Sequence, residues 1–315
     1  MPLLPAPPDP IQFDADRGDA RLRLDQVIVR RVTGVRFLSR SVAQHWIASG
    51  AVSVDGRIAT RPSARVREGA AIAIALPDSA VRRSRPVGEA GALDVVYEDD
   101  SLIALNKPAG VVVHPSYKQV SGTLLNALLW RIRDRPGLQP GIFTRLDKDT
   151  SGLVIVALTP GVHARLQREA AAGRVSKQYL AVVRGLPRPV RGDIVLPLGR
   201  DPLDRRRVVV ADAGAPSHTR YEVIAPCGEG NTLVRCEPVT GRTHQIRVHL
   251  AASGWPVVGD RAYGEPDPRI ARQALHAWRA TLPHPDTQHP VELEAPLPED
   301  MTQLLADLGG RNPLA

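Results

Sequence analysis

The chain has 315 residues, of which 43% are hydrophobic, 23% are charged and 4% are aromatic. This composition is typical of a folded globular protein and excludes the disordered and membrane-embedded classes. The net charge of +8 suits a polyanionic partner, although charge alone does not distinguish nucleic acid from an anionic membrane surface. The length allows two domains, since domains of about 100 to 200 residues are usual.

The two cysteines, Cys227 and Cys236, are too few for a disulfide framework, and their separation does not resemble a zinc site. We predict that both are reduced and buried. The first residues lack the basic start and continuous apolar stretch of a signal peptide, and no segment has the ~18 to 20 apolar residues that cross a bilayer. The sequence therefore predicts a cytoplasmic protein without membrane association.

Residues 1–19 are rich in proline and predict a flexible arm. Apolar positions at helical spacing then predict a helix over residues 23–32. A second helix is predicted to end at Gly50 and to begin at Ser39 or Ser41, either of which can cap it.

After these helices the apolar period changes to two, which predicts a strand with an Asp-Gly turn over residues 51–57 and another strand over residues 71–76. The compact unit of residues 20–77 resembles the S4 RNA-binding domain, through the strings RLD, LSRS, SGAVSVDG and RVREG. This resemblance implies an RNA-binding surface; a solvated basic face is the alternative. Its candidate phosphate contacts are Arg36, Arg40, Arg57, Arg61 and Arg65.

Residues 78–92 are rich in arginine, glycine and proline and predict a charged linker. We predict that the second domain spans residues 93–300 and that residues 301–315 are a tail. In chain order it contains a predicted hairpin (93–105), helices (123–130 and 162–170) and a strand (175–185).

A polar turn over residues 141–152 separates two apolar segments, which predicts a strand entering a loop and a buried strand leaving it. Asp147 lies in this loop between Arg145 and Lys148. A loop carboxylate commonly caps a turn, so the position alone does not establish catalysis.

The string RLDKDTSGL at residues 145–153 resembles the R-L-D-x-x-T-S-G-L signature of the RluA-type pseudouridine synthases, which isomerise uridine in RNA. Thr144 stands where that family usually has histidine. Further strings of the second domain resemble other segments of the family: NKPAGVVVH, KQYLAVV, GRTHQIRVHL, GDRAYG and LHA. The resemblance covers roughly residues 93–296, and it implies an α+β fold with a mixed, mainly antiparallel catalytic sheet, preceded by the small S4-like domain of helices and a hairpin.

The GRTHQIRVHL string also predicts a short helix that Thr243 can cap. His244 and His249 would lie ~140° apart around it, whereas zinc-binding histidines on one helix usually sit at i and i+4. The chain shows neither a phosphate-binding loop nor a Ser-His-Asp elbow. We therefore expect chemistry that uses no metal and no cofactor.

The resemblance implies that Asp147 is the catalytic carboxylate, either attacking the ribose or stabilising its cation-like state. It also implies an arginine partner, for which Arg247 is the first candidate and Arg242 the second. Tyr179 would stack on the base and could assist removal of the C5 proton. Arg145 would act as a wedge in the RNA or as a phosphate contact. The remaining candidate substrate contacts are Arg242, His244, Gln245, Lys107 and Leu275.

The predicted function is isomerisation of uridine to pseudouridine in RNA, by an Asp147 that acts on a uridine flipped out of its stack. The combination of S4-like and RluA-type segments favours large-subunit (23S-type) ribosomal RNA as the substrate, with transfer RNA as the alternative. A non-catalytic RNA-binding protein and a glycosidic hydrolase are two further classes, the latter lacking an evident second carboxylate. We expect a monomer.

Overall fold

The computed structural model describes residues 10–32, 38–75, 86–115, 119–204 and 207–309. Arg36 and most of the predicted linker lie outside these ranges. The chain divides into two compact units, Met1–Arg85 and Pro86–Ala315.

In its described residues, the first unit places two short helices on a small antiparallel sheet. The helices are α1 (Leu24–Arg31) and α2 (Arg40–Ala48), and the strands β1 (Ile11–Asp14), β2 (Val52–Val54), β3 (Arg57–Ile58) and β4 (Ala71–Ile74) lie in the order β1-β4-β2-β3. Its buried core includes Leu24, Ile28 and Trp46. Ser39 caps the second helix by accepting a hydrogen bond from the Val42 amide at 3.3 Å, so the first of the two predicted caps is used.

The prediction of a flexible arm is wrong for residues 11–19. Strand β1 pairs with β4, with Ile11 opposite Ile74, and Ile11 and Phe13 pack against the core. Asp16, in the turn after β1, accepts a hydrogen bond from Arg31 at 2.7 Å. The proline content of the first residues concealed a short alternating strand, whose partner is distant in sequence.

The second unit is built on a sheet that is ten-stranded in the described part of the chain. Its strands are β5 (Val95–Glu98), β6 (Leu102–Lys107), β7 (Gly141–Ile142), β8 (Ser151–Ala157), β9 (Ser176–Arg184), β10 (Arg191–Val195), β13 (His218–Cys227), β14 (Asn231–Pro238), β15 (Leu275–Pro283) and β16 (Pro290–Glu294). A separate hairpin consists of β11 (Leu198–Arg200) and β12 (Val208–Val210). The helices are α3 (Leu124–Arg131), α4 (Pro160–Ala171), α5 (Gln245–Ala252) and α6 (Glu299–Asp307).

The main path through this sheet is β10-β13-β14-β9-β15-β8-β6-β5, while β16 pairs with β15 and β7 pairs with β8. The pairing of β15 with β8 is parallel, and the other pairings in the sheet are antiparallel. The predicted α+β class with a mixed, mainly antiparallel sheet is confirmed.

Strand β8 is buried along its whole length because its two faces contribute to different cores. Leu153 and Ile155 pack with Leu166 of α4, whereas Val154 and Val156 pack with Leu128 of α3. A strand buried on both faces reads as a continuous apolar run. The loop between β7 and β8 therefore ends at a rigid strand.

Both predicted boundaries of the second domain are displaced. The Glu89 amide donates to the Asn126 carbonyl at 3.0 Å, and the Asn126 side chain donates to the Val87 carbonyl at 2.7 Å, so residues 86–92 belong to this unit rather than to a linker. The predicted tail is also wrong for residues 301–307, because α6 buries Met301 and Leu304 in the core, while residues 310–315 lie outside the described residues.

Cys227 and Cys236 are buried and free, as predicted. Among the described residues, none of the helices has both the length and the apolar character that a membrane span requires.

Candidate active site

Asp147, Tyr179 and Arg247 line one cavity of about 450 Å³ in the second unit. They come from the loop between β7 and β8, from strand β9 and from helix α5, respectively. The cavity is also lined by other residues that the sequence predicted as substrate contacts: Arg145, Arg242, His244, Gln245 and Leu275.

The loop of residues 143–150, which carries the catalytic candidate Asp147 and which we call the catalytic loop, is held through its backbone. The Lys148 carbonyl accepts hydrogen bonds from the Gly110 amide at 3.0 Å and from the Lys107 ammonium at 2.8 Å. Gly152, just after the loop, has φ = 108°, and a Cβ there would lie 2.1 Å from the Ala277 carbonyl oxygen. Only glycine allows β8 to approach β15 this closely. The loop therefore presents Asp147 from a fixed backbone.

Lys107 is a support of this loop and not a substrate contact, so the prediction for this side chain is wrong. Its side chain is fully buried, and its ammonium also donates to the carbonyls of Pro108 and Val111 at 2.8 and 2.9 Å. An ammonium has three donors, and three carbonyls use them. Burial lowers the pKa of Lys107 to about 8.

Arg247 joins two carboxylates. Its Nη1 donates to Asp147 at 2.8 Å, while its Nε and Nη2 donate to the two oxygens of Asp260 at 2.7 and 2.8 Å. The structure thus pairs Asp147 with the first of the two predicted arginines. The second, Arg242, is exposed and donates to the Pro216 carbonyl at 3.3 Å.

The charges of this triad stabilise one another. Burial alone would lower the pKa of Arg247, but Asp260 and Asp147 raise that pKa above its usual value. Burial would raise the pKa of Asp260, and the hydrogen bonds and charge of Arg247 bring that pKa below its usual value. The guanidinium of Arg247 therefore remains a cation beside Asp147.

Sequence analysis did not single out Asp260, although its side chain is fully buried. It also accepts hydrogen bonds from the backbone amides of Ala262 and Tyr263 at 2.9 and 3.2 Å. The available signal was the preceding glycine: Gly259 has φ = 74°, and a Cβ there would lie 2.3 Å from the Arg272 carbonyl oxygen. This turn requires glycine, because of its positive φ and its close approach to the carbonyl.

Helix α5 begins one residue later than predicted. Its cap is His244, in the left-handed conformation with φ = 54°, rather than Thr243. The His244 Nδ1 lies 2.7 Å from the Tyr263 hydroxyl, which accepts a hydrogen bond from the Val208 amide at 3.0 Å. The hydroxyl can give its own proton to Nδ1, which directs an Nε2–H towards Asp147, 3.8 Å away. Burial lowers the pKa of His244, and the charge of Asp147 opposes that shift.

Gln245 supports the cavity wall with a side-chain amide whose oxygen and nitrogen each have two hydrogen-bond partners. Its oxygen accepts from the Thr240 hydroxyl and the Arg242 amide at 2.7 and 3.0 Å. Its nitrogen donates to the His218 carbonyl and the Thr219 hydroxyl at 2.9 and 3.0 Å. The side chain is therefore suited to positioning the Thr240–Arg242 turn, in contrast to the predicted substrate contact.

Tyr179 contributes a neutral phenol to the cavity. Burial and the negative charge of Asp147 raise its pKa above the usual value. A phenol that resists ionisation is a poor proton acceptor but a good surface for packing against a base. Lys177, two residues earlier on the same strand, also lines the cavity, and burial lowers its pKa.

The second histidine of α5 has a separate environment. His249 is fully buried and lies 2.8 Å from the Thr219 hydroxyl and 3.0 Å from the Leu196 carbonyl. His244 faces the cavity instead, so the two imidazoles do not share partners.

In the first unit, the described candidate phosphate contacts Arg40, Arg57, Arg61 and Arg65 are all exposed. Asp25, which is fully buried, orients Arg40 by accepting a hydrogen bond from its Nε at 3.1 Å. The hydrogen bonds of Arg23 are the main reason that the pKa of Asp25 is lowered.

The chain resembles known proteins along most of its length. The family model described as RNA pseudouridylate synthase matches residues 101–252, and the S4 domain model matches residues 22–72. The ribosomal large subunit pseudouridine synthase D of Nitrosomonas europaea is 42% identical over 299 residues, which cover 91% of this chain and 84% of that protein. The protein of the same description from Pseudomonas aeruginosa is 39% identical over 85% of this chain and 87% of its own length.

Among solved structures, human RNA pseudouridylate synthase domain containing 1 superposes with a TM-score of 0.55 at 33% identity, covering 67% of this chain and 86% of that one. Fold, site and matches together define an RNA-modifying isomerase with an S4 domain. The chain belongs to the RNA pseudouridine synthase family.

Proposed function

We propose that this enzyme isomerises uridine in large-subunit ribosomal RNA, with Asp147 acting at the ribose C1′ of a uridine flipped out of the RNA into the cavity. The observation that carries the proposal is the Asp147–Arg247 ion pair of 2.8 Å at the wall of a cavity of about 450 Å³. That volume lies in the range of small-ligand pockets. The choice of RNA rests on the two relatives described above as ribosomal large subunit synthases.

The reaction breaks the C1′–N1 bond, turns the uracil and forms a C1′–C5 bond; the C5 proton is lost and N1 gains one. Asp147 acts on C1′ in the first step, either as a nucleophile that forms a transient ester or as an anion that stabilises the cation-like ribose. In both routes, Arg247 orients the Asp147 carboxylate. Tyr179 packs on the turning base.

A uridine inside a helix cannot reach this carboxylate, because the base must leave its stack. Arg145 and Arg242 are exposed and line the cavity. We assign to them the phosphates beside the flipped nucleotide, with Arg145, two residues from Asp147, filling the place that the base leaves. Unstacking costs a few kcal/mol, which charged contacts at these positions offset.

The test is replacement of Asp147 by asparagine, which keeps the volume and removes the negative charge. Asp134→Asn, which removes an exposed carboxylate elsewhere in the same unit, is the matched control. In cells lacking the gene, we expect the parent and Asp134→Asn to restore the missing pseudouridines of ribosomal RNA and Asp147→Asn to restore none. Sequencing chemistry specific for pseudouridine, applied to both ribosomal and transfer RNA, gives the measurement.

Turnover by Asp147→Asn within about tenfold of the parent would contradict the proposed role, since loss of a group that acts on the reacting carbon costs far more. If cells lacking the gene lost pseudouridine only from transfer RNA, the proposed chemistry would stand, and transfer RNA would replace ribosomal RNA as the substrate. Release of free uracil would indicate hydrolysis instead.

A further inference from the structure

The C-terminal helix α6 is connected to the catalytic loop through a single buried guanidinium. The Arg272 side chain is 7% exposed, and its Nε and Nη2 donate to the two carboxylate oxygens of Asp300 at 2.6 and 2.8 Å. Its Nη1 approaches the Asp149 carbonyl at 3.2 Å, together with the carbonyls of Gln273 and Leu275 at 3.1 and 3.3 Å. Asp149 is two residues beyond Asp147, so this contact holds the carboxyl-terminal side of the loop.

The position of Asp300 is itself fixed by packing. It lies in the first turn of α6, which buries Met301, Leu304 and Leu305. These residues belong to the same core as Ile246, the neighbour of Arg247 on α5. Burial alone would raise the pKa of Asp300, but the hydrogen bonds and charge of Arg272 lower it below the usual value. Asp300 is therefore ionised at neutral pH, and its helix is anchored to the core that includes the neighbour of Arg247.

A planar guanidinium that is bound bidentately at one edge has no freedom at the other edge. The Asp300 fork thus determines where Nη1 of Arg272 points. A neighbouring contact acts in the same direction, because Gln273 donates to the Thr150 hydroxyl at 3.1 Å. Lys107 binds the Lys148 carbonyl, so successive residues after Asp147 are each held by a different side chain.

We infer that Arg272 and Asp300, which we call the loop clasp, are positioning residues for the isomerisation: they hold the Asp149 carbonyl and thereby set the place of the Asp147 carboxylate. The inference rests on the proposed role of Asp147. It assigns to the C-terminal helix a part in the reaction, which neither the loop sequence nor the cavity lining indicates.

The test compares Asp300→Asn with Asp307→Asn, a control that removes an exposed carboxylate from the same helix. In the described part of the chain, Asp307 accepts its hydrogen bond from Gln303. We expect Asp300→Asn to lower the single-turnover rate constant by about 10- to 100-fold, since a shift of about 1 Å at a reacting group costs up to this much. RNA affinity should stay within about twofold of the parent for both variants.

A second measurement separates positioning from general destabilisation. Hydrogen exchange in a peptide covering residues 147–152 should be faster in Asp300→Asn than in Asp307→Asn, while peptides of β9 and β14 are unchanged. Arg272→Lys, which keeps the charge and loses the fork, should resemble Asp300→Asn. Asp300→Glu should recover part of the rate, because it restores a carboxylate.

A rate constant for Asp300→Asn within about twofold of Asp307→Asn would overturn the inference. The inference would also be overturned if the loss of rate equalled the fraction of the variant that thermal unfolding shows to be unfolded at the assay temperature. If Asp147→Asn were active, the proposed role of Asp147 would fail; if Asp147→Asn were inactive and Asp300→Asn fully active, the loop clasp alone would fail.

Discussion

Arg247 serves two carboxylates with one planar group, and this sharing determines what can replace it. Asp260 takes Nε and Nη2, and Asp147 takes Nη1. An ammonium at the same position would be a single point of charge without the fork. It could approach one carboxylate well and would leave the other poorly paired in a buried place.

We therefore predict that Arg247→Lys lowers kcat by about 100-fold or more, comparable to the loss of one preorganised donor at a reacting group. KM should change little, because the lost contact orients Asp147 rather than the RNA. Steady-state kinetics on a short stem-loop substrate would measure both.

Arg242→Lys is the matched control, since Arg242 is exposed and donates to a backbone carbonyl instead of a carboxylate. It should affect KM more than kcat. A similar loss of kcat in both variants would show that the Asp260 fork has no special part in orienting Asp147.

At the scale of elements, the parallel pairing of β8 with β15 places a histidine in the interior beside the catalytic loop. His276 lies opposite Ser151 in the register, and its Nδ1 is 2.9 Å from the Ser151 hydroxyl. Its Nε2 is 3.2 Å from the Ala295 carbonyl, which can only accept, so the proton is on Nε2. Burial lowers the pKa of His276 to about 4, the nearby charge of Arg272 acts in the same direction, and the Ala295 carbonyl and Asp300 oppose it.

This pKa predicts a loss of stability in mild acid. Above the ordinary histidine pKa of 6.5, His276 is neutral in both the folded and unfolded chain. As the pH falls from 6.5 towards 4, His276 binds a proton in the unfolded chain but stays neutral in the folded chain. The free energy of unfolding therefore decreases, by about 3 kcal/mol at most.

Urea denaturation at pH 7 and pH 5 would measure the effect as a difference between variants. His276→Gln should show a smaller decrease in unfolding free energy than the parent over this range. His289→Gln, at an exposed position, should keep the parental decrease. Equal decreases in all three proteins would assign the acid sensitivity to other groups.

At the scale of the whole molecule, the chain consists of two units with separate cores. The first unit has its own cluster of buried residues, and the three large clusters of the second unit draw on residues beyond 86. The lining of the active-site cavity also comes from the second unit. We therefore assign RNA affinity in part to the first unit and the chemistry to the second.

We predict that removing residues 1–85 leaves a folded enzyme with residual activity, weaker RNA binding and a shallower salt dependence. Each phosphate contact contributes about 0.7 to the slope of log affinity against log salt for single-stranded nucleic acid. Binding titrations across several salt concentrations, with circular dichroism to verify folding, would measure the change.

A full-length chain with glutamine at Arg40, Arg57, Arg61 and Arg65 tests whether those side chains are responsible. Its slope should decrease by up to about 3 if all four contact phosphates. Arg17→Gln, at an exposed position of the same unit, should leave the slope unchanged. If the truncated and parent proteins gave equal affinities and slopes, the phosphate contacts would have to lie in the second unit.

The sequence by itself determined the elements that depend on local pattern. The apolar run after residue 152 predicts the buried strand that β8 forms, and the apolar helical stretches predict α3 and α4. The Asp55-Gly56 turn, with positive φ at both residues, follows from the conformations that these two residue types tolerate. Dense motifs also led to Asp147, Tyr179 and Arg247, which line one cavity in the structure.

The tertiary structure alone decided what each polar side chain does, because that depends on partners far away in the sequence. Lys107 looked like a cation for the substrate, but it binds Lys148, 41 residues later, and is hidden from the cavity. Arg272 and Asp300 are 28 residues apart, and Arg272 reaches Asp149 over 123. Once buried, such charged side chains hold backbone groups in place instead of facing solvent. Neither the apolar periodicity nor the composition of a local segment indicates which charged groups become buried.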